Sequence, residues 1–320
     1  MVGPLYFIAT LCDVTVLTNR ALHRLGRDHA IDVYIHIIAY ADDISAFIVA
    51  DSEAEIQLAV NVLMDEFFDY FTAAGLCMNP EKSELILFRR GRKSETIFVG
   101  GQEEAEKIKL LGVVIDKNYT FASHAVQVAA SVNQKVEKLS TVIRYMDWKN
   151  KMDVTEAIIL STVTYCLAVW GWKYEWRKKV QKALNNAVRM LLGGNDRMSI
   201  TDGLQRLGWL NMDNIWRLEQ VLAMRRICST QIPELMFNII TAATNHRYMV
   251  RADGIRSSWW PRNSHGENAF MNLAMKTFNE LRVPQRCFFN TLENRNMTKS
   301  EIRSELKHDL IVKYGNDNLH

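Results

Sequence analysis

Two adjacent carboxylates, Asp42 and Asp43, close the tetrapeptide Tyr40-Ala41-Asp42-Asp43. Two like charges side by side are costly unless a cation lies between them and a further ligand. Hard divalent ions such as Mg²⁺ take oxygen ligands and are usually shared with substrate phosphates. The pair therefore points to phosphoryl-transfer chemistry. The same dipeptide also serves as a plain turn element, because Asp side chains cap nearby backbone N–H groups. Taken alone, the tetrapeptide leaves both readings open.

Its flanks predict how the pair would be held. His36-Ile37-Ile38-Ala39 precedes it and Ile44 to Val49 follows, apolar and β-rich on both sides. That pattern predicts strand, turn, strand, with the acids at the tip. The segment Tyr6 to Leu17 is expected to pack beneath the hairpin as a helix. Ser52 with Glu55 three residues on predicts a capped helix, and Ile56, Val60, Leu63, Phe67 and Phe71 give it an apolar stripe. Gly75 supplies its stop, with Pro80 beyond. Glu84 to Phe88 reads as a strand returning to the sheet. Arg89 to Lys93 reads as a basic loop, either a solvated turn or a phosphate contact.

Two more strands are expected at Thr96 to Val99 and Lys109 to Ile115, joined by an acidic linker. Beyond Ser123 the spacing is helical, carried by Ala125, Ala129, Val132, Val136, Leu139 and Ile143. Asp153, with Glu156 three on, is expected to open a buried helix through the apolar run from Ala157 to Trp172. Trp176 to Leu192 predicts a basic amphipathic helix closed by Gly193-Gly194. Val180, Leu184, Val188 and Leu191 would face inward and Lys178, Lys182 and Arg189 outward. That outer face either follows a phosphate backbone or keeps the helix soluble. Trp209, Trp216, Trp259 and Trp260 read as core or interface residues, and Thr298 with Glu301 caps a final helix, Ile302 to Lys313.

In this order the elements resemble the palm and thumb of a reverse transcriptase of the non-LTR (LINE-type) retrotransposon kind, as in jockey-like and chicken-repeat-like elements. Gly3-Pro4-Leu5-Tyr6-Phe7 followed by Asp13 looks like the family's GPLLF…ND stretch. Gly75-Leu76-Cys77-Met78-Asn79-Pro80-Glu81-Lys82-Ser83-Glu84 is similar to its GLxxNxxKTE pattern. Leu111-Gly112 to Asp116 matches LGxxxD. Val163-Thr164-Tyr165 to Val169-Trp170-Gly171 looks like PxxxYGxxxW, with Thr164 and Cys166 departing from it. Arg206 to Leu210 and Ala274 to Asn279 echo the family's tail.

The resemblance implies an α+β chain. A partial palm would occupy residues 1–95, a thumb-like region with a primer-grip hairpin 96–200, and a helical C-terminal region 201–320. It implies an RNA-directed DNA polymerase using Mg²⁺, with template RNA, a DNA primer and deoxynucleotides as partners. Asp42 would be a direct metal ligand and Asp43 would complete or support the cluster. Tyr40 and Ala41 would lie by the primer end, and Gly112 would belong to the primer-grip hairpin. Lys82 matches the lysine proposed to protonate the leaving pyrophosphate; the bland reading is a surface lysine. A third Asp belongs upstream of the GPLLF stretch, as do the fingers, so the expectation is a C-terminal fragment inactive by itself. The alternative is a non-catalytic nucleic-acid-binding remnant.

Composition agrees with an ordinary globular chain, 48% hydrophobic and 23% charged over 320 residues. Five scattered cysteines, never paired as CxxC, give neither a disulfide framework nor a zinc site and fit a reducing compartment, nuclear or cytoplasmic. No signal peptide is read at the start, and no apolar run reaches a membrane span. Net charge is only +3 but uneven. Residues 1–143 hold 13 Lys and Arg against 19 Asp and Glu, a balance of −6; residues 144–262 hold 18 against 10, a balance of +8. The acidic part carries the carboxylate pair and the basic part would suit a polyanion.

Overall fold

A computed structural model describes residues 14–89, 96–195, 197–230 and 299–315, with residues 273, 274 and 277. The Gly3 to Phe7 stretch, Asp13, Arg90 to Lys93, Trp259, Trp260, Thr298 and most of 274–279 lie outside them. The chain is α+β: among the described residues helices dominate, joined by three small two-stranded sheets. It divides into two units, Met1–Leu110 with Asp116–Asn118, and Leu111–Ile115 with Tyr119–His320.

In the first unit, α1 (Val14–His29) leads into β1 (Tyr34–Tyr40), β2 (Asp43–Val49) and α2 (Glu53–Ala73). The start of α2 is a complete capping box. Ser52 Oγ accepts from Glu55 N at 3.2 Å, and Glu55 Oε2 accepts from Ser52 N at 3.1 Å. Its end is turned by Gly75, at φ +72°, with Leu76 N bonding back to Phe71 O at 2.8 Å. Val60, Leu63, Phe67 and Phe71 are buried as their spacing requires. Leu63, Phe67 and Phe71 share a core with Leu17, Ala21 and Leu25 of α1 and with Ile35 and Ile37 of β1. Arg24 ties α1 to α2 through Asp65 and Glu66. The other face of the ribbon, with Tyr34, Ile38, Phe47 and Val49, is exposed.

Three expectations for the chain after α2 need correction. Glu84 to Phe88 forms no strand; Ala105 N reaches Leu85 O at 2.7 Å, but no ladder follows. Thr96 to Val99 is not one long partner for Lys109 to Ile115. Gly100 and Gly101, at φ +56° and +82°, turn β3 (Phe98–Val99) directly onto β4 (Gln102–Glu103). A separate hairpin, β5 (Lys107–Leu110) with β6 (Val113–Asp116), follows, and the division between the units runs through it. Arg89 is not part of a solvated loop. Its half-buried guanidinium donates to both Glu53 and Glu104, fastening this stretch to the start of α2.

The second unit is helical: α3 (Ala122–Val142), a 3₁₀ turn (Ile143–Tyr145), α4 (Trp148–Thr155), a π turn (Glu156–Leu160), α5 (Ser161–Thr164), α6 (Leu167–Trp170), α7 (Tyr174–Leu192), α8 (Ile200–Leu207), α9 (Met212–Thr230) and α10 (Lys299–Tyr314). Its core gathers Val132 of α3, Trp170, Leu184 and Val188 of α7, Trp209 and Met224.

The apolar run from Ala157 to Trp172 is broken rather than one helix. Ser161 and Thr162 hydroxyls bond back to the Ala157 and Ile158 carbonyls, competing with the backbone ladder. Cys166 then takes φ +51°, ending the turn. Asp147, not Asp153, caps α4, accepting from Asn150 N at 2.9 Å. Among the described residues no helix is long and apolar enough to cross a membrane.

Candidate functional site

The register of the first ribbon runs from Tyr34 opposite Val49 to Tyr40 opposite Asp43. That leaves Ala41 and Asp42 as a two-residue connection, so Asp42 occupies the turn and Asp43 opens β2. Ala41 has φ +53°, while Asp42 does not share a positive φ. A positive φ confined to the first turn position is the pattern of a II′ turn, which favours Gly there because a Cβ is strained in that region. An alanine at the tip therefore holds the carboxylates in a costly but compact loop. Tyr40, Ala41, Asp42 and Asp43 are all exposed.

Beneath the hairpin lies a cavity of about 510 Å³. Asp42 and Asp43 line one side of it, and Phe67 and Phe71 of α2 give it an apolar floor. Asn79 and Lys82 line it as well. Asn79 Oδ1 accepts from Glu81 N at 3.1 Å and Asn79 O accepts from Lys82 N at 3.2 Å, winding Pro80–Lys82 into one 3₁₀ turn. Gln102 Nε2 donates to Glu81 O at 2.6 Å and holds that turn from outside. An exposed ammonium thus lines the same cavity as the two acids. Three exposed carboxylates, Asp42, Asp43 and Glu84, line it with one lysine and an apolar floor, and the adjacent pair can bind a divalent cation together with a phosphorylated ligand. Among the described residues no group of three or more His, Cys, Asp or Glu side chains could hold a metal.

The remaining predicted residues lie in the second unit. Leu111 and Gly112, at φ +45° and +85°, make the β5–β6 turn. Tyr165 Oη donates to Leu111 O at 2.6 Å, and its ring would lie 3.4 Å from a Cβ on Gly112. Gly112 is needed there by the turn, while the tyrosine leaves room for a Cβ in ordinary contact. Lys178 and Lys182 lie on the exposed face of α7. Arg189 is half-buried, donates to Asn186 Oδ1 at 3.3 Å, and lines a different concavity with Arg144 and Lys151.

His124 is buried. Its Nδ1 accepts from Val114 N at 3.3 Å, its edge meets Trp170 with centroids 5.3 Å apart, and burial pushes its pKa below the ordinary histidine value. That is a packing role.

Sequence reasoning missed Arg177. It is buried, pairs with Asp213, donates to Gly171 O at 2.6 Å and Trp172 O at 2.9 Å, and lies 4.2 Å from the Trp216 ring centroid. The signal was present: Arg177 falls three before Val180 and seven before Leu184, on the inward stripe of α7.

No family model, no curated protein and no solved structure matches the chain.

Proposed function

We propose that this chain is part of an RNA-directed DNA polymerase of the non-LTR retrotransposon kind, with a partial palm over residues 1–95, a thumb-like region over 96–200 and a helical C-terminal region over 201–320. The observation that carries the reading is the single cavity lined by Asp42, Asp43 and Lys82, residues from separate segments. Asp42 and Asp43 would hold Mg²⁺ by carboxylate oxygens, with water and substrate phosphates filling the remaining positions. When bound, such an ion lowers the pKa of an attacking hydroxyl and neutralises phosphate charge. Lys82, lining the same cavity, would neutralise or protonate the departing pyrophosphate as a primer 3′-oxygen bonds to the α-phosphorus of a deoxynucleotide. Tyr40 and Ala41 would border the primer end, and the Gly112 turn would belong to the primer grip. Lys178 and Lys182 would meet template–primer phosphates, in a position to act by charge rather than by shape.

The cavity is lined by Asp42, Asp43 and Glu84, which among the described residues do not form a three-ligand metal group, whereas the resemblance asks for a further Asp on an earlier palm strand. The purified chain is therefore expected to bind metal without extending a primer. Manganese(II), as a paramagnetic probe, should broaden amide signals around residues 40–44 and 79–82, and Asp42→Ala with Asp43→Ala should abolish this. Manganese that broadens signals elsewhere and spares the hairpin overturns the assignment. A second reading, a nucleic-acid binder without catalysis, is favoured by the exposed basic face of α7 that carries Lys178 and Lys182. Under it, salt-dependent binding of primer–template persists unchanged in Asp42→Ala and without Mg²⁺.

A further inference from the structure

A cavity of about 510 Å³ lies in the second unit, lined by the π turn, α5, α9 and α10. Leu160, Leu210, Ile215 and Leu218 give it an apolar wall, and Glu156, Arg303 and Lys307 bring charge to it. The polymerase chemistry uses none of these residues.

Lys307 is half-buried, and among the described residues its amine makes no hydrogen bond and no ion pair. Its Nζ lies beside the end of α8, where a Cβ on Gly208 would approach it to 4.0 Å. The carboxylate of the same cavity is engaged elsewhere through one oxygen: Glu156 Oε1 accepts from Trp209 Nε1 at 2.9 Å. Arg303, one helical turn before Lys307 on α10, donates through Nη2 to Glu219 Oε1 at 2.6 Å. That bond uses one guanidinium nitrogen and leaves further N–H donors on the fork.

Burial pushes the Lys307 pKa below the ordinary lysine value; the Glu156 charge opposes this, and the Arg303 charge adds to it. An amine that is desolvated and near a second cation is neutral more of the time, and the neutral amine is the nucleophile. Held in a cavity with an apolar wall, it suits a carbonyl compound. The Nζ lone pair bonds to the carbonyl carbon and the π pair passes to oxygen. Both amine protons then reach that oxygen, which leaves as water while C=N forms. One amine and one carbonyl give one imine and one water, with no oxidant or reductant needed. Glu156, in the same cavity, can carry the protons. A planar guanidinium matches a carboxylate on the same small molecule.

We propose that Lys307 forms an imine with a small carbonyl compound that bears a carboxylate, with Glu156 moving the protons and Arg303 meeting the carboxylate. The inference is independent of the Asp42–Asp43 pair and of the polymerase reading.

The test treats the full chain with limiting glyoxylate or, separately, acetaldehyde. Cyanoborohydride traps each imine as a secondary amine, and tandem mass spectrometry locates the label. Glyoxylate should label Lys307 ahead of the exposed Lys138 and Lys149 by on the order of tenfold, less than positioning and proton transfer together can supply. Glu156→Gln, which keeps an acceptor for Trp209, should slow labelling of Lys307 about tenfold with either aldehyde. Arg303→Gln should slow glyoxylate about tenfold more than acetaldehyde, as expected for a lost hydrogen bond to a charged group. Lys307→Arg should remove the leading label, and unchanged circular dichroism would show that each variant is folded.

Labelling of Lys307 no faster than Lys138 and Lys149 in the wild-type chain overturns the inference, leaving the amine to complement the carbonyl end of α8. Acetaldehyde that favours Lys307 as strongly as glyoxylate overturns the carboxylate-bearing class, and labelling unmoved by Glu156→Gln overturns the proton-carrying role. Manganese absent from Asp42–Asp43, with Lys307 still labelled first, sinks the polymerase reading and leaves this site standing.

Discussion

Replacing Arg177 by alanine removes a cation from the interior of the second unit and strips donors from several acceptors at once. Its Nη1 donates to Gly171 O at 2.6 Å and Trp172 O at 2.9 Å, and its Nε pairs with Asp213, itself mostly covered. The guanidinium also lies 4.2 Å from the Trp216 ring centroid. Each orphaned carbonyl should cost about 1 kcal/mol and the carboxylate left without its partner about 2. The sum, about 4 kcal/mol, falls within the range for breaking a buried ion pair by removing one side. Domains are stable by only about 5–15 kcal/mol, so the variant should be marginal.

Urea unfolding followed by tryptophan fluorescence measures this directly, because Trp170, Trp209 and Trp216 lie in that core. The two units can unfold in separate steps, and the step that changes should be the one these tryptophans report. Arg177→Met combined with Asp213→Leu removes both charges and should recover a good part of the loss, since apolar replacements of a buried pair are often nearly neutral. A cost below about 1 kcal/mol for Arg177→Ala, or a double variant no better than the single, would refute the reasoning.

Burial holds the His124 pKa below its ordinary 6.5, so between the folded and unfolded values the unfolded chain binds the extra proton. Stability is therefore full above about 6.5 and falls as pH drops from there toward the folded pKa, and His124→Leu should flatten the urea midpoint between about pH 8 and 5. Acid sensitivity that persists unchanged in His124→Leu would contradict this. Ala41→Gly relieves the positive φ at the hairpin tip at the expense of a more flexible unfolded chain. It should stabilise β1–β2 by about 0.5 kcal/mol, read as slower amide exchange across the ribbon; faster exchange would show that the tip carries no strain.

What was legible in the sequence was local. The Ser52–Glu55 box, the α2 stripe, Gly75 and the hairpin with its acids are each specified within a few residues, where capping and alternation act. Glu84 to Phe88 has strand composition, but a strand exists only if a partner edge is presented, and composition does not name the partner. The run from Ala157 to Trp172 reads as a helix by hydropathy. It breaks because Ser161 and Thr162 compete for carbonyls and Tyr165 is drawn to Leu111 O, a bond across 54 residues.

Sites divided the same way. Asp42 and Asp43 are neighbours in sequence and could be found there. Glu156 and Lys307 come from two elements whose meeting is a property of packing. In Arg177-Lys178-Lys179 three basic residues look alike, yet packing buries only the first.

The two carboxylates and the ribbon that carries them make different demands on the first unit. At the tip, Asp42 and Asp43 repel each other through water, where two charges a few ångströms apart cost only about 1 kcal/mol. The unit can therefore fold with the pair uncompensated, and whatever cation it holds is bound by a preformed loop instead of driving its folding. The ribbon is otherwise placed. Two strands alone are marginal, and here they are supported on one face only, through Ile35 and Ile37 against α1 and α2. The strained Ala41 is tolerated because the register on both sides of the turn is fixed by that buried face: a one-residue slip would bring the outer-face residues Tyr34 and His36 inward. The geometry of the acids is thus set by apolar packing several residues away, which is why the pair can stay in the open and still point at one cavity.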